Sequence, residues 1–212
     1  MGTYNDLIGQ SSCKKCNIGM YADEKGASDC KNCSKYTYSS LVGQSYCNQC
    51  IPGMYNDFIG QSNCTQCKIG YYCIGNDTKV GCPKGTYLDR TNGTSETSCL
   101  RCNMGTYNDL IGQSSCKKCV AGKYLNETGK ANKTDCLNCS TGMYSDNFGQ
   151  NECKSCLEGQ FNAGLVGQAS CSICEKGYYL INQSAANVTN KEQLCHPCDR
   201  GKYNFLSGTL SQ

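Results

Sequence analysis

The sixteen residues MGTYNDLIGQSSCKKC stand at residues 1–16 and recur, without a change, at residues 104–119. Weaker copies lie between and beyond them, each with Gly-x-Tyr, a polar loop that often ends in Gly-Gln-Ser, and Cys-x-x-Cys. Self-similarity at a fixed period is typical of repeat arrays, in which each repeat is stabilised by its neighbours. The two identical stretches are therefore copies within an array.

The template divides the chain into twelve repeats, which we number in chain order. They begin at Gly2, Gly19, Tyr36, Gly53, Gly70, Gly85, Gly105, Gly122, Gly142, Gly159, Gly177 and Gly201. The third residue of every repeat is Tyr, except for Phe161 in repeat 10. We expect four regular repeats over residues 1–67, an atypical repeat with an extra cysteine over 68–84, six repeats over 85–200, and the truncated start of a twelfth over 201–212.

Composition excludes a conventional hydrophobic core. The chain has 22 Cys and 24 Gly in 212 residues, no Trp, four Phe, and a mean hydropathy of -0.53. Cysteine contents near one residue in ten are typical of secreted chains that rely on disulfides. No window has the apolar spacing of an amphipathic helix or of a long strand. We therefore predict a small disulfide-rich, mostly irregular fold with short antiparallel strands, arranged as a linear tandem-repeat rod.

The register of the repeats suggests how the cysteines pair, although spacing alone does not fix connectivity. A Cys-x-x-Cys closed on itself suits redox turnover, so we favour pairing of the second Cys of each repeat with the first Cys of the next. The predicted bridges are Cys16–Cys30, Cys33–Cys47, Cys50–Cys64, Cys82–Cys99, Cys102–Cys116, Cys119–Cys136, Cys139–Cys153, Cys156–Cys171 and Cys174–Cys195, with Cys67–Cys73 in the atypical repeat. Each such bridge stabilises the fold by about 3 kcal/mol.

Two cysteines, Cys13 and Cys198, are left over and would find partners in repeats that the chain does not contain. The last repeat, GKYNFLSGTLSQ, stops one residue before its first Cys is due. We therefore expect the sequence to be an excerpt of a longer array. Its cysteine usage indicates an oxidising compartment, and so an extracellular or cell-surface location.

Asn-x-Ser/Thr acceptor sites for N-linked glycans occur nine times. The distance from the repeat start to its first Cys is eleven or twelve residues in most repeats, but fourteen, fourteen and eighteen in repeats 6, 8 and 11. These repeats and the atypical repeat 5 hold the six stronger candidates, Asn76, Asn92, Asn126, Asn132, Asn182 and Asn187. Three weaker ones have Cys in the middle, Asn32, Asn63 and Asn138. The inserted loops are expected to carry glycans; the alternative is that Asn and Thr are merely common in loops.

The recurring Gly-x-Tyr has a structural and a functional interpretation. Tyr either packs its ring on the adjacent disulfide, which we favour, or forms a stripe for recognition. The Gly two residues earlier supplies positive φ or close backbone approach. At Tyr36, which stands at a Gly position, we expect either an ordinary backbone conformation or a distorted repeat.

Metal and redox chemistry are the rival explanations of the cysteines. Cys13, Cys16, Cys30 and Cys33 form Cys-x2-Cys-x13-Cys-x2-Cys, which resembles a four-thiolate zinc site. The continuous chaining of the motifs, the lone Cys73 and the excess of sequons argue against zinc. Dithiol oxidoreductases carry a single motif at a strand-to-helix junction, and this pattern has none. We predict no cofactor and no metal.

Few residues in the sequence are candidates for a catalytic role. His196 is the only histidine, and it lies inside Cys-His-Pro-Cys, where a spacer is the better interpretation than a general base. One position of the repeat carries a recurring aspartate, at Asp6, Asp57 and Asp109. We interpret these aspartates as turn formers and, as a less favoured alternative, as weak calcium ligands. A net charge of +3, spread along the chain, does not indicate nucleic acid or membrane contact. We predict that the protein is not an enzyme.

The stretches GMYNDFIGQSNCTQC, GTYNDLIGQSSCKKC and GMYSDNFGQNECKSC resemble the ephrin-receptor-like cysteine-rich repeat of large protist and ciliate surface proteins. They are more distantly similar to tumour-necrosis-factor-receptor and furin-like modules. The resemblance covers essentially the whole chain and implies a disulfide-laddered extracellular rod without catalytic residues. GYYCIGNDTKVGC, in repeat 5, departs from the template through Cys73.

Three functions fit these features. The first, which we prefer, is a stiff glycosylated segment of a cell-surface or secreted filament that associates with itself or with neighbouring repeats. The second is a receptor or adhesin ectodomain that binds a protein or glycan, with Tyr71, Tyr72 and Cys73 as the candidate patch. The third is a zinc-bound intracellular scaffold.

Overall fold

A computed structural model of the chain describes residues 1–75, 79–157, 159–181 and 194–199. Its contacts divide into two compact units. The first contains Met1–Leu100 and Leu110–Ser115, and the second contains Arg101–Asp109 and Cys116–Gln212. The predicted repeat 12, at residues 201–212, lies outside the described residues.

Each of repeats 1 to 11 forms one β-hairpin, because Tyr and its neighbour favour extended backbone and the loop residues favour turns. The first strands of the hairpins are β1 Thr3–Tyr4, β3 Met20–Tyr21, β5 Thr37–Tyr38, β7 Met54–Tyr55, β9 Tyr71–Cys73, β11 Thr86–Tyr87, β13 Thr106–Tyr107, β15 Lys123–Tyr124, β17 Met143–Tyr144, β19 Gln160–Phe161 and β21 Tyr178–Leu180. The second strands are β2 Lys14–Lys15, β4 Lys31–Asn32, β6 Asn48–Gln49, β8 Thr65–Gln66, β10 Lys79–Gly81, β12 Leu100–Arg101, β14 Lys117–Lys118, β16 Leu137–Asn138, β18 Lys154–Ser155, β20 Ser172–Ile173 and β22 Cys195–Pro197.

The hairpins pair in sequence order, β1 with β2, β3 with β4, and so on, into eleven two-stranded sheets. Their pairing is antiparallel, as in repeat 1, where Thr3 lies opposite Lys15. Among the described residues, helix is limited to two 3₁₀ turns, Glu96–Ser98 and Lys133–Asp135. Both turns lie in the stretched loops of repeats 6 and 8. The fold is therefore the predicted disulfide-rich array of short antiparallel strands.

Burial is distributed over small clusters, each centred on a disulfide. One cluster contains Tyr107, Cys119, Leu125 and Cys136, and the other three have the same kind of composition. A two-stranded hairpin is marginally stable by itself in water, so cross-links and inter-repeat contacts must stabilise it. This pattern is what the low apolar content predicts.

Contacts within each compact unit reach one repeat further than expected. The loop of repeat 3 lies on the hairpin of repeat 1, where the Gly43 N–H donates a hydrogen bond to the Cys16 carbonyl at 2.8 Å. The same bond joins repeats 4 and 2, through Gly60 and Cys33, at 2.7 Å. These hairpins therefore contact both the next repeat and the next but one, whereas the periodicity suggested contacts with immediate neighbours only.

Candidate functional site

The joint between successive repeats is the site that recurs along the chain, and a disulfide lies at its centre. The structure joins the cysteines as the register suggests, second Cys to first Cys of the next repeat. The bonds are Cys16–Cys30, Cys33–Cys47, Cys50–Cys64, Cys67–Cys73, Cys82–Cys99, Cys102–Cys116, Cys119–Cys136, Cys139–Cys153, Cys156–Cys171 and Cys174–Cys195. Cys13 is exposed and Cys198 half-buried, and both are free thiols. Within the described residues, no group of three or more His, Cys, Asp or Glu is placed to hold a metal ion.

In repeats 1, 4, 7 and 10 the aromatic ring packs on this disulfide, as the structural interpretation of Gly-x-Tyr predicts. Tyr4 packs on Cys16 and Cys30, and Tyr107 packs on Cys119 and Cys136. Phe161 takes the same place in repeat 10, beside Cys174. The ring lacks a hydroxyl there, so the hydroxyl is not needed for packing. Burial of the ring therefore explains why this position is aromatic.

A ladder of backbone hydrogen bonds links the joints. In repeats 1 to 5, 7 and 8 the first residue donates its N–H to the carbonyl of the residue after Tyr in the next repeat, as Gly2 does to Ala22 at 2.8 Å. Ala22 in turn donates to the Gln44 carbonyl of the third repeat at 3.2 Å. These bonds tie three successive repeats together through main-chain groups alone, so they tolerate variation in the loops. In repeat 9, Gly142 donates instead to the Asn162 Oδ1 at 2.8 Å.

In repeats 1, 2 and 7, Gly at the first position is required both by conformation and by space. Gly2 has φ +77°, and a Cβ on it would overlap the carbonyl oxygen of Gly43. Gly19 stands in the same relation to Gly60, and Gly105 to Gly149. Positive φ is the left-handed region that side chains other than Asn and Asp rarely adopt. Both reasons for Gly therefore operate at once.

Tyr36 does not behave as the sequence suggests. Its φ is +66°, the left-handed conformation of the glycines, and its repeat is not distorted. Tyr36 donates to the Asn56 carbonyl at 2.9 Å, and its own carbonyl accepts from the Cys50 N–H at 3.0 Å, as in the Gly repeats. The expectation of an ordinary conformation was wrong, because the ladder fixes the backbone regardless of the side chain. The next-but-one neighbour is repeat 5, whose sequence lacks the Gly-Gln loop that would exclude a Cβ.

The residue after Tyr is the inward-facing position, and sequence reasoning missed it. It is buried in repeats 2 to 11, at Ala22, Ser39, Asn56, Cys73, Leu88, Asn108, Leu125, Ser145, Asn162 and Leu180. Asn56 uses its Nδ2 to donate to the Thr37 carbonyl at 3.1 Å, so its buried amide is hydrogen-bonded to the preceding repeat. A signal existed in the sequence: Leu stands at this position in repeats 6, 8 and 11, the three with stretched loops.

Aspartates at the following position form ion pairs across the hairpin. Asp6 binds Lys14 at 2.8 Å, Asp23 binds Lys31 at 2.9 Å, and Asp146 binds Lys154 at 2.8 Å. Asp109, one of the aspartates singled out from sequence, pairs with Lys117 in the same way. The sequence interpretation as turn formers or calcium ligands overlooked the lysine eight residues on.

These ion pairs shift the ionisation of both partners. The hydrogen bond from Lys14 holds the pKa of Asp6 below its usual value, and the hydrogen bond to Asp6 raises the pKa of Lys14. The Asp23–Lys31 and Asp146–Lys154 pairs shift in the same directions for the same reason. All of these groups are exposed, so each pair adds little stability and is screened by salt.

Six of the nine sequons lie in the described part of the chain, and all six asparagines are exposed. Asn92, Asn126 and Asn132 lie in the loops of repeats 6 and 8, whereas Asn32 and Asn138 lie in strands β4 and β16. Asn63 lines a cavity of about 310 Å³ together with Tyr38 and Met54. The sequons at Asn76, Asn182 and Asn187 lie outside the described residues.

Repeat 5 keeps the joint in an altered form. Cys73 lies in the first strand, at the inward-facing position, and is bonded to Cys67. The Lys79 Nζ lies 5.1 Å from the Tyr55 ring centroid and 4.9 Å from that of Tyr71, in the geometry of cation–π contacts. Tyr55 and Tyr71 are therefore engaged within the fold.

His196, in β22, lies opposite Tyr179, with ring centroids 6.4 Å apart.

Joints of this kind define a disulfide-stabilised repeat module. The family described as tyrosine-protein kinase ephrin type A/B receptor-like matches residues 2–45, 90–136 and 122–165, more than half of the chain. The chain therefore belongs to the ephrin-receptor-like family, whose module is a non-catalytic, cysteine-rich, receptor-type unit. A search of curated proteins found no match. In the described part of the chain, no helix has the length and apolar character to cross a membrane.

Proposed function

We propose that this chain is a structural segment of an extracellular protein, in a cell-surface or secreted filament. The array of joints sets its length and spacing, and glycans on the inserted loops hydrate and protect it. The observation that carries the proposal is the repetition of one joint: the same disulfide, aromatic ring and backbone ladder connect successive repeats. When every repeat uses the same contacts to its neighbours, each added repeat lengthens the array without requiring a new interface.

The location follows from the chemistry of the joint. Ten disulfides within about 200 residues persist only in an oxidising environment, and ephrin-receptor-like modules are ectodomain modules. Small repeats without a large core depend on these bonds. The extracellular space is the compartment that keeps them closed.

Repeat 5 was the candidate binding patch of the receptor or adhesin hypothesis. Of that patch, the Tyr71 ring is in a cation–π contact with Lys79, and Cys73 is closed in a disulfide with Cys67. This packing favours the structural function over the binding function.

The test is a register-preserving insertion. A variant that duplicates residues 2–35 adds two repeats, with the second copy of Cys13 placed to pair with the first copy of Cys33. The added 34 residues are about 16 % of the chain, so an extended array gains about 16 % in length. A compact protein of the same mass gains only about 6 % in radius of gyration, because that radius scales as roughly the 0.38 power of length.

Small-angle X-ray scattering on the chain and on the variant gives both dimensions. An increase near 16 % in the maximum dimension supports the structural function. An increase near 6 %, with all bridges closed, refutes it and returns the receptor or adhesin ectodomain to first place.

A further inference from the structure

We propose that the inserted loops of repeats 6 and 8 carry N-linked glycans at Asn92, Asn126 and Asn132, and that Asn32 and Asn138 stay unmodified. The inference rests on the extracellular location proposed above. It adds a rule for which acceptors are used: the acceptor asparagine lies on an anchored, exposed loop, and not in a hairpin strand.

The inserted loops are held by a buried leucine of their own repeat. Leu88 is fully buried, and its Cδ2 lies 2.6 Å from the place where a Cβ on Gly93 would be. Leu125 has the same position in repeat 8 and is 2 % exposed. Each loop ends in a 3₁₀ turn directly before the first Cys, Glu96–Ser98 in one and Lys133–Asp135 in the other. A buried anchor at one end and a turn at the other keep the intervening residues on the surface.

Asn92 is fixed at the outer bend of its loop. Its N–H donates to the Cys67 carbonyl at 2.9 Å, the bond that Gly60 makes to Cys33 two repeats earlier. Its φ is +63°, which Asn tolerates better than other side chains do. The backbone is thus docked while the side chain remains exposed. The left-handed conformation is by itself a sufficient reason for Asn at position 92. Replacing Thr94, which completes the sequon, therefore tests glycosylation without changing Asn92.

Repeat 8 presents two acceptors on one loop. Asn126 directly follows the buried Leu125 and is exposed. Asn132 is exposed at the start of the 3₁₀ turn, where its N–H donates to the Asp135 carboxylate at 2.9 Å. An ion pair between Glu127 and Lys130, at 2.9 Å, lies between them. Both asparagines are exposed, and the Asn132 side chain also takes part in a capping box with the backbone of Asp135.

The strand sequons have the opposite setting. Asn32 pairs with Met20 in the hairpin of repeat 2, and Asn138 pairs with Lys123 in repeat 8. A Cβ on Gly60 would lie 3.2 Å from the Asn32 Oδ1. The loop of repeat 4 therefore contacts that amide, and the loop of repeat 10 contacts the Asn138 Oδ1 in the same way through Gly167, although both asparagines are exposed. A glycan at either place would separate a hairpin from the loop docked on it.

The loop tips of repeats 1 and 7, which have no insertion, differ in composition as well. Repeat 1 has Leu7 and Ile8 before its Gly-Gln, both well exposed, and repeat 7 has Leu110 and Ile111. The inserted loops have Arg90 and Thr91 or Glu127 and Thr128 at the corresponding places. The sequon loops are therefore polar throughout, which suits a surface that carries saccharide.

The modification is a group transfer without redox change. The side-chain Nδ2 of the acceptor asparagine forms a bond to the anomeric carbon of a saccharide, and the bond from that carbon to the pyrophosphate oxygen of a lipid-linked donor breaks. The leaving pyrophosphate takes the electron pair of the broken bond, and the amide releases one proton. The product is a neutral glycosylated amide.

The experiment maps every acceptor at once. The full chain is secreted from eukaryotic cells, its glycans are removed enzymatically in ¹⁸O water, and peptides are analysed without reduction and after reduction. We expect the ¹⁸O label at Asn92, Asn126 and Asn132 and none at Asn32 or Asn138. The Thr94→Ala variant retains Asn92 in its left-handed conformation and is expected to lose the label at that position only. Thr97→Ala, in the same loop but outside any sequon, is the matched control.

Each outcome has a defined meaning. No label at the three loop positions, in secreted chain with all ten bridges closed, overturns the glycan inference and leaves the structural function intact. Label at Asn32 or Asn138 in folded chain overturns the rule that strands are spared. Failure of the proposed function is seen separately, in the scattering measurement on the insertion variant.

Discussion

The carbonyl oxygen of Gly43 occupies the space that a side chain on Gly2 would need. Forty-one residues separate the two glycines, yet their backbones touch because the loop of repeat 3 lies on the hairpin of repeat 1. The recurrence of this contact at Gly19 with Gly60 makes it a property of the array. The Gly that begins the template is thus the residue on which the loop of the repeat two further along the chain packs.

The loss of stability on replacing one of these glycines should depend on the free space around its Cα as well as on its positive φ. Gly19 and Gly26 both have φ +78°, but only Gly19 faces a neighbouring backbone, that of Gly60. Gly26→Ala is expected to lower the free energy of unfolding by about 1 kcal/mol, for the left-handed conformation alone. Gly19→Ala is expected to cost about 1–3 kcal/mol more, because the overlap forces the loop to move. Denaturant unfolding followed by Tyr fluorescence measures both, and equal costs would contradict the close approach.

Removal of one bridge should weaken the array measurably. The Cys16→Ser, Cys30→Ser double variant opens a loop with a sequence separation of 14 and is expected to lose about 3 kcal/mol. The Cys13→Ser variant is the control, because Cys13 is exposed and free, and its unfolding midpoint should not change. If the double variant unfolds at the midpoint of the intact chain, the disulfide is not what holds the joint.

The buried leucine should determine the order of the inserted loop. Leu88→Ala is expected to cost about 2–5 kcal/mol, because it leaves a cavity under Gly93. Trypsin should then cut faster after Arg90, which is exposed in the same loop. Leu100→Ala, at a position 42 % exposed, is the matched control and should change stability by less than about 0.5 kcal/mol. Unchanged cleavage in the Leu88 variant would show that the loop is held by other contacts.

The hairpin ion pairs predict a loss of stability in acid. The pKa of Asp6, Asp23 and Asp146 is lowered in the folded chain, so their contribution is complete above the ordinary Asp value of about 3.9 and is lost as pH falls through the lowered value. The unfolding midpoint should therefore hold while the pH stays well above about 3.9 and fall as the pH is lowered through and below that value at low ionic strength. The fall should be smaller in 1 M salt, where the Debye length is about 3 Å.

The variant that isolates this effect is Asp23→Asn, which should remove part of the pH dependence. Its control is Glu24→Gln, whose carboxylate lies 4.0 Å from the same Lys31 and is far more exposed. Equal behaviour of the two variants would contradict a specific role for the Asp23–Lys31 pair.

Sequence reasoning reached the joint because its cysteines recur at a fixed register. Cys16 and Cys30 are close in sequence, and their pairing requires only that repeats follow one another. It missed the inward-facing position because Ala22, Asn56 and Leu88 share no chemical type, so no apolar periodicity marks them. It was also wrong about Tyr36, since the backbone conformation there is imposed by bonds to Asn56 and Cys50.

The sequence by itself determined the array, its hairpins, its dependence on disulfides and the candidate glycan acceptors, because all of these follow from local spacing and composition. Only the tertiary structure decided that loops rest on the hairpin two repeats earlier, as Gly43 rests beside Gly2, and which acceptor amides such a loop contacts, as Gly60 contacts Asn32. The loops are docked through backbone hydrogen bonds between repeats, as from Gly43 to Cys16. Backbone atoms are the same in every residue, so a Gly in the template indicates that another backbone can approach closely but not which one.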